Sequence, residues 1–528
     1  MKDLKFDYKK TIYVGLAFFL IQMFWQTYDN IIAKILIDKF GLSQGMSGIL
    51  MALDNVLAIV LLPLFGLLSD KTRSRFGRRT PYIVIGTLVA AFAFVSLSFV
   101  DNKQTVLVEQ AGIVSEYDLM YEKISSPDGM TREQWDQIIL NDINIESLSE
   151  KYLSIVTYVE NGEVKDKYKE TDIIGVFDHR DISDIYYNYL SMKAWDLTKN
   201  NVKNLVWFIG LLFIVLLAMS TFRSPSVALM PDVTPKMFRS RANAIINLMG
   251  SAGAIISIGL MTIFGLSSKS YVSYTPAFVA TGVLMLVSLA IFLFKVNEVK
   301  MVKELELDVE KYHLDEHIDE KTHEAIPLTK SEKISLLFIL LSVFFWYIGY
   351  NAITSKLSDY APKMLNMGFT TPLLVAQAAA IVSFIPIGIL SSKFGRKKMI
   401  LFGVALLAVC FGSAFFLTKD TKMLLYPVLA FTGVAWATIN VNSFPMAVEL
   451  ATGKDVGKFT GLYYAFSMAA QIITPILSGF LMDEFGRGIL FPYATVFVVI
   501  SFITMLFVKH GDVKIEKKGL LESFDVED

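Results

Sequence analysis

Two carboxyl groups within apolar stretches are the residues of this sequence best placed to do chemistry. Asp54 lies about nine residues into an apolar run, is followed by Asn55, and has no Lys or Arg within a helical turn. An ionised group inside a bilayer is costly, and a desolvated carboxyl without a counter-charge favours its protonated form. We therefore predict that Asp54 binds and releases a proton, with a structural hydrogen bond to a neighbouring helix as the alternative.

The first apolar run carries four residues of related chemistry on one helical face. Gln22, Trp25, Gln26 and Asp29 follow the spacing i, i+3, i+4 and i+7. A polar face within a membrane must line a cavity or meet another polar face. Amides and carboxylates hydrogen-bond hydroxyl groups, and an indole ring stacks on the apolar face of a pyranose. This face therefore predicts a sugar site, with Asp29 as a second candidate for proton coupling.

Three later runs repeat the pairing of an aromatic residue with an amide or a hydroxyl. Beyond the first run, the predicted substrate-binding residues are Asn55, Trp346, Tyr350, Asn351, Trp436, Asn440, Ser467 and Gln471. Matching chemistry on four helices predicts one shared cavity. For any single residue, a hydrogen bond between helices or a place in an interfacial aromatic belt is the alternative.

The composition defines the class of protein that must position these residues. The chain has 528 residues, of which 54% are hydrophobic, and a mean hydropathy of +0.50, which indicates a polytopic membrane protein. A formal net charge of -1 gives no reason to expect a nucleic-acid partner. The single cysteine, Cys410, excludes an intramolecular disulfide, and the histidines lack ligand spacing, so we expect no metal and no cofactor. No nucleophile–base pair stands at workable spacing, which argues against an enzyme.

Twelve apolar runs are long enough to cross a hydrocarbon core, which takes about 20 residues each. They lie near 11-33, 45-68, 81-100, 204-222, 240-264, 275-295, 333-354, 370-390, 399-417, 423-446, 458-481 and 489-508. The turns after the second, fourth and eighth runs are rich in Lys and Arg, which predicts a cytoplasmic location for them and for both termini. The predicted fold is an all-α membrane protein with twelve transmembrane helices in two six-helix halves.

Two polar stretches interrupt these runs. The predicted divisions are helices 1-3 in 1-100, an extracytoplasmic insert in 101-202, helices 4-6 in 203-295, a cytoplasmic linker in 296-332, helices 7-12 in 333-508 and a cytoplasmic tail in 509-528. Within the insert, 131-140 resembles a capped amphipathic helix, and Asn161-Gly162 is typical of a type I′ hairpin turn. We expect a small α+β domain that caps the outer face, or alternatively captures substrate or a partner.

A motif after the second run recurs in the second half of the chain. Gly66-Leu-Leu-Ser-Asp-Lys followed by Phe76-Gly-Arg-Arg returns as Gly388-Ile-Leu-Ser-Ser-Lys-Phe-Gly-Arg-Lys, with Ser392 in the position of Asp70. The repeat predicts two related halves with a substrate site between them, near the middle of the bilayer.

The first copy, GLLSDKTRSRFGRRTPYI, resembles the glycoside-pentoside-hexuronide cation symporters, and more closely the sucrose-transporter and solute-carrier 45 branch, within the major facilitator superfamily. The resemblance implies proton-coupled uptake of a disaccharide or related glycoside by alternating access. It also implies that the motif latches the cytoplasmic side in the outward-open state. The gate residues carried over by position are Gly66, Asp70, Gly77, Arg78 and Arg79.

Two departures from the family pattern bear on the coupling ion and the substrate. Melibiose-type members have paired aspartates on helix 2, where this chain has Ala58 and Leu62, so sodium coupling loses support. Plant sucrose carriers have an arginine in helix 4 where this chain has Val227, with Arg223 a turn earlier.

We therefore expect a monomeric proton-coupled importer of a disaccharide or small glycoside in the plasma membrane, with the lipid bilayer and a sugar as its partners. One alternative is a proton-driven exporter of sugars or amphiphiles. The other is a membrane sensor that uses the outer insert without transport.

Overall fold

The computed structural model describes residues 6–118, 157–160, 163–166, 182–235, 238–312, 329–450 and 456–510. Its helices are α1 (Tyr8–Lys34), continued by a π-helical turn (Ile35–Lys39), α2 (Gln44–Lys71), α3 (Thr80–Gln110), α4 (Ile182–Asn200), α5 (Val202–Val233), α6 (Arg239–Ile263), α7 (Thr275–Lys295), α8 (Glu298–Tyr312), α9 (Lys330–Met364), α10 (Thr370–Phe394), α11 (Arg396–Ala414), α12 (Leu425–Val448), α13 (Val456–Phe485) and α14 (Leu490–Leu506). Two strands, β1 (Thr157–Glu160) and β2 (Glu163–Asp166), pair antiparallel.

Eleven helices in the described part of the chain are long and apolar enough to cross a membrane. This number confirms a multi-pass helical membrane protein. The hydropathy of α1 is reduced by its polar face, and α1 is not among the eleven. Side-chain caps begin several helices: Ser43 accepts from the Met46 N–H of α2, and Thr329 and Glu332 form a reciprocal capping box at α9.

The helices form two halves that meet along a central interface. In the first half, α1 packs on α6 and α7, and α3 packs on α5; in the second, α10 packs on α12, and α9 on α14. The most extensive contact between the halves joins α2 to α13, followed by α6 with α10 and α1 with α9.

The two ends of the bundle differ in how closely the halves approach. We call the end that holds the 71–79 turn the motif end, and the opposite end, where α3 stops and α4 lies, the insert end. At the insert end, a Cβ atom on Gly48 would lie 2.0 Å from the Pro475 carbonyl oxygen of α13. At the motif end, a Cβ atom on Gly66 would meet only Ser224 of its own half, and one on Gly461 would meet nothing within 4 Å. The halves are therefore closed together at the insert end and apart at the motif end.

The insert and the linker contain more helix than the sequence predicts, since α4 lies in the insert and α8 in the linker. Helix α3 continues to Gln110 instead of ending at 100, because the polar Asp101 and Gln104 are buried and hydrogen-bonded to Lys39. The β1–β2 hairpin flanks the predicted Asn161-Gly162 turn, with Glu160 opposite Glu163. The helix expected at 131-140 and the linker histidines at 313, 317 and 323 lie outside the described residues.

Candidate functional site

A cavity of about 100 Å³ lies between the two halves. Helices α1 and α6 line it from the first half, and α9, α10 and α12 from the second. Its lining residues with polar or aromatic side chains are Gln26, Asp29, Asn30, Tyr350, Thr354, Gln377, Thr432 and Trp436. The volume is smaller than the 300–1,000 Å³ typical of ligand sites. Binding of a sugar would therefore require the lining helices to move apart slightly.

An aromatic wall forms the side of the cavity that belongs to the second half. The Tyr350 and Trp436 rings are stacked, with centroids 6.1 Å apart and an interplanar angle of 26°. Phe384 contacts Trp436 edge-on at 5.9 Å, and Trp346 contacts Tyr350 at 6.3 Å. These contacts fix the orientation of both cavity-lining rings, which give this side of the cavity an apolar aromatic surface.

The opposite side of the cavity carries amide and carboxyl groups of α1. Asn30 donates from Nδ2 to the Gln26 carbonyl oxygen at 2.7 Å. The Asn30 Oδ1 atom has no hydrogen-bond partner among the described residues, although it is buried. A buried acceptor without a partner costs free energy, which a ligand hydroxyl would recover by donating to it.

Four polar cavity residues are absent from the sequence prediction: Asn30, Thr354, Gln377 and Thr432. Gln377 was recognisable in principle, because it is a lone amide in the middle of an apolar run and such groups need a polar environment. The threonines carry no comparable signal, since Thr432 donates to the Val428 carbonyl oxygen of its own helix at 2.9 Å, as threonines facing lipid also do.

Gln26, Asp29, Tyr350 and Trp436 are the predicted substrate or coupling residues that line the cavity. Other predicted substrate residues make local contacts: Asn440 donates to the Trp436 carbonyl oxygen at 3.4 Å, and Ser467 donates to that of Tyr464 at 3.0 Å. The predicted substrate residues that do not line the cavity in this conformation are Gln22, Trp25, Asn55, Trp346, Asn351, Asn440, Ser467 and Gln471.

The two candidate coupling carboxylates interact with one arginine. Asp29 and Asp54 lie close enough to repel each other, and Arg223 of α5 attracts both. The Arg223 guanidinium also lies 5.8 Å from the centre of the Trp25 ring, and Asn55 donates from Nδ2 to Asp54 at 2.8 Å. Helix α2 carries no positive charge near Asp54, and Arg223 of α5 supplies one. When both carboxyl groups are ionised, binding of a single proton makes this cluster neutral.

Three of the five predicted gate residues, Asp70, Arg78 and Arg79, form one cluster at the motif end. Arg79 is buried and its guanidinium is bonded to Asp70, to Ser69 Oγ at 2.5 Å and to Asp232 at 2.8 Å. Arg78 binds the other oxygen of Asp232 at 2.6 Å. The basic turn is therefore joined by ion pairs and hydrogen bonds to both α2 and α5 of the first half.

Glu298, the first residue of α8, holds the backbone of the same turn. It is 1% exposed and accepts hydrogen bonds from the backbone N–H groups of Arg78, Arg79 and Thr80 and from the Thr80 hydroxyl, all at 2.7–3.0 Å. These N–H groups stand at the start of α3, where the helix dipole favours a negative charge. The sequence prediction missed Glu298 and Asp232, which lie more than 150 positions from the turn.

The second half holds a counterpart of this cluster. Gly395 has φ +89° and Gly77 has φ +103°, and each precedes an arginine at the start of a helix. Arg396 pairs with Glu449 at the end of α12, as Arg79 pairs with Asp232 near the end of α5. The internal repeat read from the sequence is therefore also a structural repeat.

We expect Gly77→Ala to lower the midpoint of thermal unfolding markedly more than Gly112→Ala. Both glycines have positive φ, so each alanine adds about 1–2 kcal/mol of backbone strain. Only at Gly77 would the new Cβ atom meet the Glu298 carboxylate, at 2.3 Å, whereas Gly112 has nothing within 4 Å. Thermal unfolding of the two variants in detergent checks this, and equal shifts would contradict a close fit between the turn and Glu298.

A multi-helix bundle with a polar and aromatic cavity between two related halves defines a membrane transporter. The family model of the Major Facilitator Superfamily matches residues 192–451 and 373–520, and that of the MFS/sugar transport proteins matches 13–113. The chain belongs to the Major Facilitator Superfamily. This membership confirms the assignment based on the motif after α2, and with it the expectation that the chain is not an enzyme.

Similarity to curated relatives is confined to parts of the chain. YagG of Escherichia coli (strain K12), assigned by name to the glycoside/cation symporters, is 41% identical over 64 residues, which are 12% of this chain and 14% of YagG. The arabinose-proton symporter of Bacillus subtilis (strain 168) is 27% identical over 188 residues, 33% of this chain and 39% of that protein. The matches thus span less than half of each relative.

Solved structures share the fold over nearly the whole chain. The xylose transporter XylE from E. coli, in an inward open conformation, has a TM-score of 0.55 at 14% identity and covers 95% of this chain and 96% of its own. A bacterial homologue of the iron transporter ferroportin, in an inward-facing state, has a TM-score of 0.57 at 12% identity, covering 95% and 99%. At these identities the likeness concerns the fold alone.

Proposed function

We propose that this chain is a secondary active transporter that imports a disaccharide or small glycoside together with a proton by alternating access. One observation carries the proposal: the cavity between the halves combines the stacked Tyr350–Trp436 wall with the Gln26 and Asp29 face. Apolar ring faces and hydroxyl edges are the two surfaces of a sugar, and the cavity offers a complement to each. The similarity to symporters named for glycosides and arabinose supports the same substrate class.

Proton coupling is proposed through the cluster of Asp29, Asp54 and Arg223. Asp29 lies at both the cavity and the cluster, so a bound sugar and a bound proton would share one carboxyl group. Such sharing links the two binding events, because each ligand changes the electrostatic environment of the other. Sodium has less support, since the helix-2 aspartates of the melibiose-type carriers are replaced by Ala58 and Leu62.

We further propose that α1 is the twelfth membrane-spanning helix. Its 27 residues exceed the roughly 20 needed to cross the hydrocarbon core, and most of them are buried against α6, α7 and α9. Its polar side chains face the cavity instead of lipid, which permits a span of lower hydropathy.

For the orientation, we propose that the motif end and both termini are cytoplasmic and that the insert lies outside, in the plasma membrane of a monomeric protein. The basic residues of the 71–79 turn support this orientation.

The experiment that tests the function is uptake of labelled sucrose, maltose and other glycosides into proteoliposomes under an imposed inward proton gradient. We expect accumulation that collapses with a protonophore. Trp436→Ala should reduce uptake at least about tenfold, because truncating an aromatic anchor in a binding site costs 2 kcal/mol or more. Trp207→Ala is the matched control, since Trp207 is 59% exposed on the outside of α5. Absence of uptake across the panel, or equal losses in both variants, would contradict the proposal.

A further inference from the structure

Among the described residues, the insert end contains nine buried charged side chains, none more than 3% exposed: Lys34, Asp38, Lys39, Asp101, Asp184, Lys356, Asp359, Lys363 and Arg487. They come from the first half, the second half and α4 of the insert. Because an unpaired buried charge costs several kcal/mol, separation of the halves at this end must provide each charge with another partner or with water.

Two of these cations form ion pairs across the interface between the halves. Lys363 of α9 donates to Asp38 of the first half at 2.5 Å, and also to Asp359 of its own helix. Arg487, before α14, donates from Nη1 to Asp184 of α4 at 2.5 Å and from Nε to Asp359 at 2.6 Å. Each bridging cation therefore has one partner across the interface and one, Asp359, in its own half.

Helix α4 packs on the π-helical turn, α3 and α5 of the first half, and it also contacts α9 of the second half. A Cβ atom on Gly41 would lie 2.2 Å from backbone atoms of Ser191 and Trp195, and Gln104 of α3 donates to Thr198 at 3.1 Å. The helix is followed directly by α5. The Asp184–Arg487 pair therefore connects the insert and the first half to the second half.

Asp38 also has a potential partner in its own half. Lys34 precedes it by four positions and attracts it electrostatically. In this conformation Lys34 donates to the Lys269 carbonyl oxygen at 3.2 Å. The Asp38 Oδ2 atom is buried and has no hydrogen-bond partner in the described part of the chain. The carboxylate thus has an oxygen available for Lys34.

We propose that this cluster is an ion-pair exchange gate in which the insert helix acts as a strap. The gate rests on the proposed alternating access. When the halves part at the insert end, Asp38 changes its partner from Lys363 to Lys34, while Lys363 and Arg487 remain with Asp359. Asp184 leaves Arg487 and becomes hydrated on the outer face of the insert. Lys356 exchanges its two bonds to Gln44 of the first half for water in the opened cleft, so the gate opens without the full cost of breaking buried ion pairs.

The gate predicts opposite effects for the removal of two buried charges. Lys34→Met removes the partner that Asp38 needs in the open state, so opening at the insert end becomes rarer. Asp184→Asn weakens the strap and leaves Arg487 with Asp359, so opening becomes more frequent. A charge-assisted hydrogen bond contributes about 1.5–3 kcal/mol, so each change in opening is expected to be about tenfold or more.

The readout is the rate at which a maleimide labels a cysteine at the insert-end interface of the purified full chain in nanodiscs. Ser267→Cys provides that site, because Ser267 is buried and its Oγ atom accepts hydrogen bonds across the interface from the Thr370 N–H at 3.1 Å and the Thr370 hydroxyl at 2.7 Å. The background is Cys410→Ser, which removes the native cysteine. We expect labelling to be slower in Lys34→Met and faster in Asp184→Asn than in the parent.

Control variants separate the gate from a general structural effect. Asp196→Asn alters an α4 carboxylate whose side chain is 70% exposed, and it should leave the rate unchanged. Lys34→Arg keeps the charge and should label at nearly the parental rate. Asn188→Ala removes a weaker bond to Arg487, at 2.8 Å, and should give a smaller increase.

Rate changes of the same sign in Lys34→Met and Asp184→Asn, or parental rates in both, would overturn the gate. Labelling needs no sugar, so opposite shifts without any sugar uptake would leave the gate standing and reject only the substrate. If Lys34→Met does not fold, the Asp184→Asn, Asn188→Ala and Asp196→Asn series still tests the strap.

Discussion

Replacing Glu298 by alanine is expected to cause the largest loss of stability of any single substitution at the motif end. The change leaves three backbone N–H groups, of which those of Arg79 and Thr80 are buried, and the Thr80 hydroxyl without their acceptor. Each unsatisfied buried donor costs about 1–3 kcal/mol, so the free energy of unfolding should fall by roughly 3 kcal/mol or more even if water satisfies some of them. Sugar uptake should fall at least about tenfold, because the turn would no longer keep Arg79 between Asp70 and Asp232.

Glu304→Ala on the same helix is the matched control. The Glu304 side chain is 47% exposed and lies 3.4 Å from Lys10, and an exposed ion pair contributes about 0–1 kcal/mol. Denaturation in detergent and uptake in proteoliposomes measure the two effects separately. Similar stabilities for the two variants would show that Glu298 does not hold the turn. A stable Glu298→Ala protein with normal uptake would remove the turn from the gating mechanism.

Replacing Asp54 by asparagine is expected to abolish accumulation of sugar while downhill exchange continues. With both carboxyl groups ionised, Asp29, Asp54 and Arg223 have one excess negative charge, which a single proton neutralises. The asparagine makes the cluster neutral without a proton, so the empty and loaded carriers can both reorient and the proton gradient no longer drives uptake. The accumulation ratio should fall from well above one to about one, which is at least a tenfold loss if the wild type accumulates tenfold.

Two measurements isolate this effect from a loss of binding. Counterflow of labelled against unlabelled sugar should continue in Asp54→Asn, since Asp54 does not line the cavity. Asp420→Asn alters an exposed carboxylate in the loop after α11 and should accumulate sugar as the wild type does. Protonophore-sensitive accumulation by Asp54→Asn would move the coupling role to Asp29 or to another group.

Several residues of the site were predictable because they are polar or aromatic side chains that stand out within apolar runs. Gln26 and Asp29 stand on one face of an apolar helix, and a polar face in a membrane must meet a cavity or other polar groups. The repeated pairing of an aromatic residue with an amide singled out Tyr350 and Trp436, and the structure brings all four residues to one cavity. Neither pattern separates residues that face the cavity from those that bond within their own helix, such as Asn440 and Ser467. That difference depends on the rotation of each helix within the bundle.

The sequence by itself determined the membrane class, the positions of most spans, the charged turns and the repeat of the motif, because hydropathy, turn chemistry and charge are local properties. Only the tertiary structure decided the partners of the buried charges. Arg223 reaches Asp54 from another helix, Glu298 reaches Thr80 across 218 positions, and Lys363 reaches Asp38 across 325. A linear pattern records that a charge would be costly to bury, whereas its neutralising partner is known only when the helices are packed together.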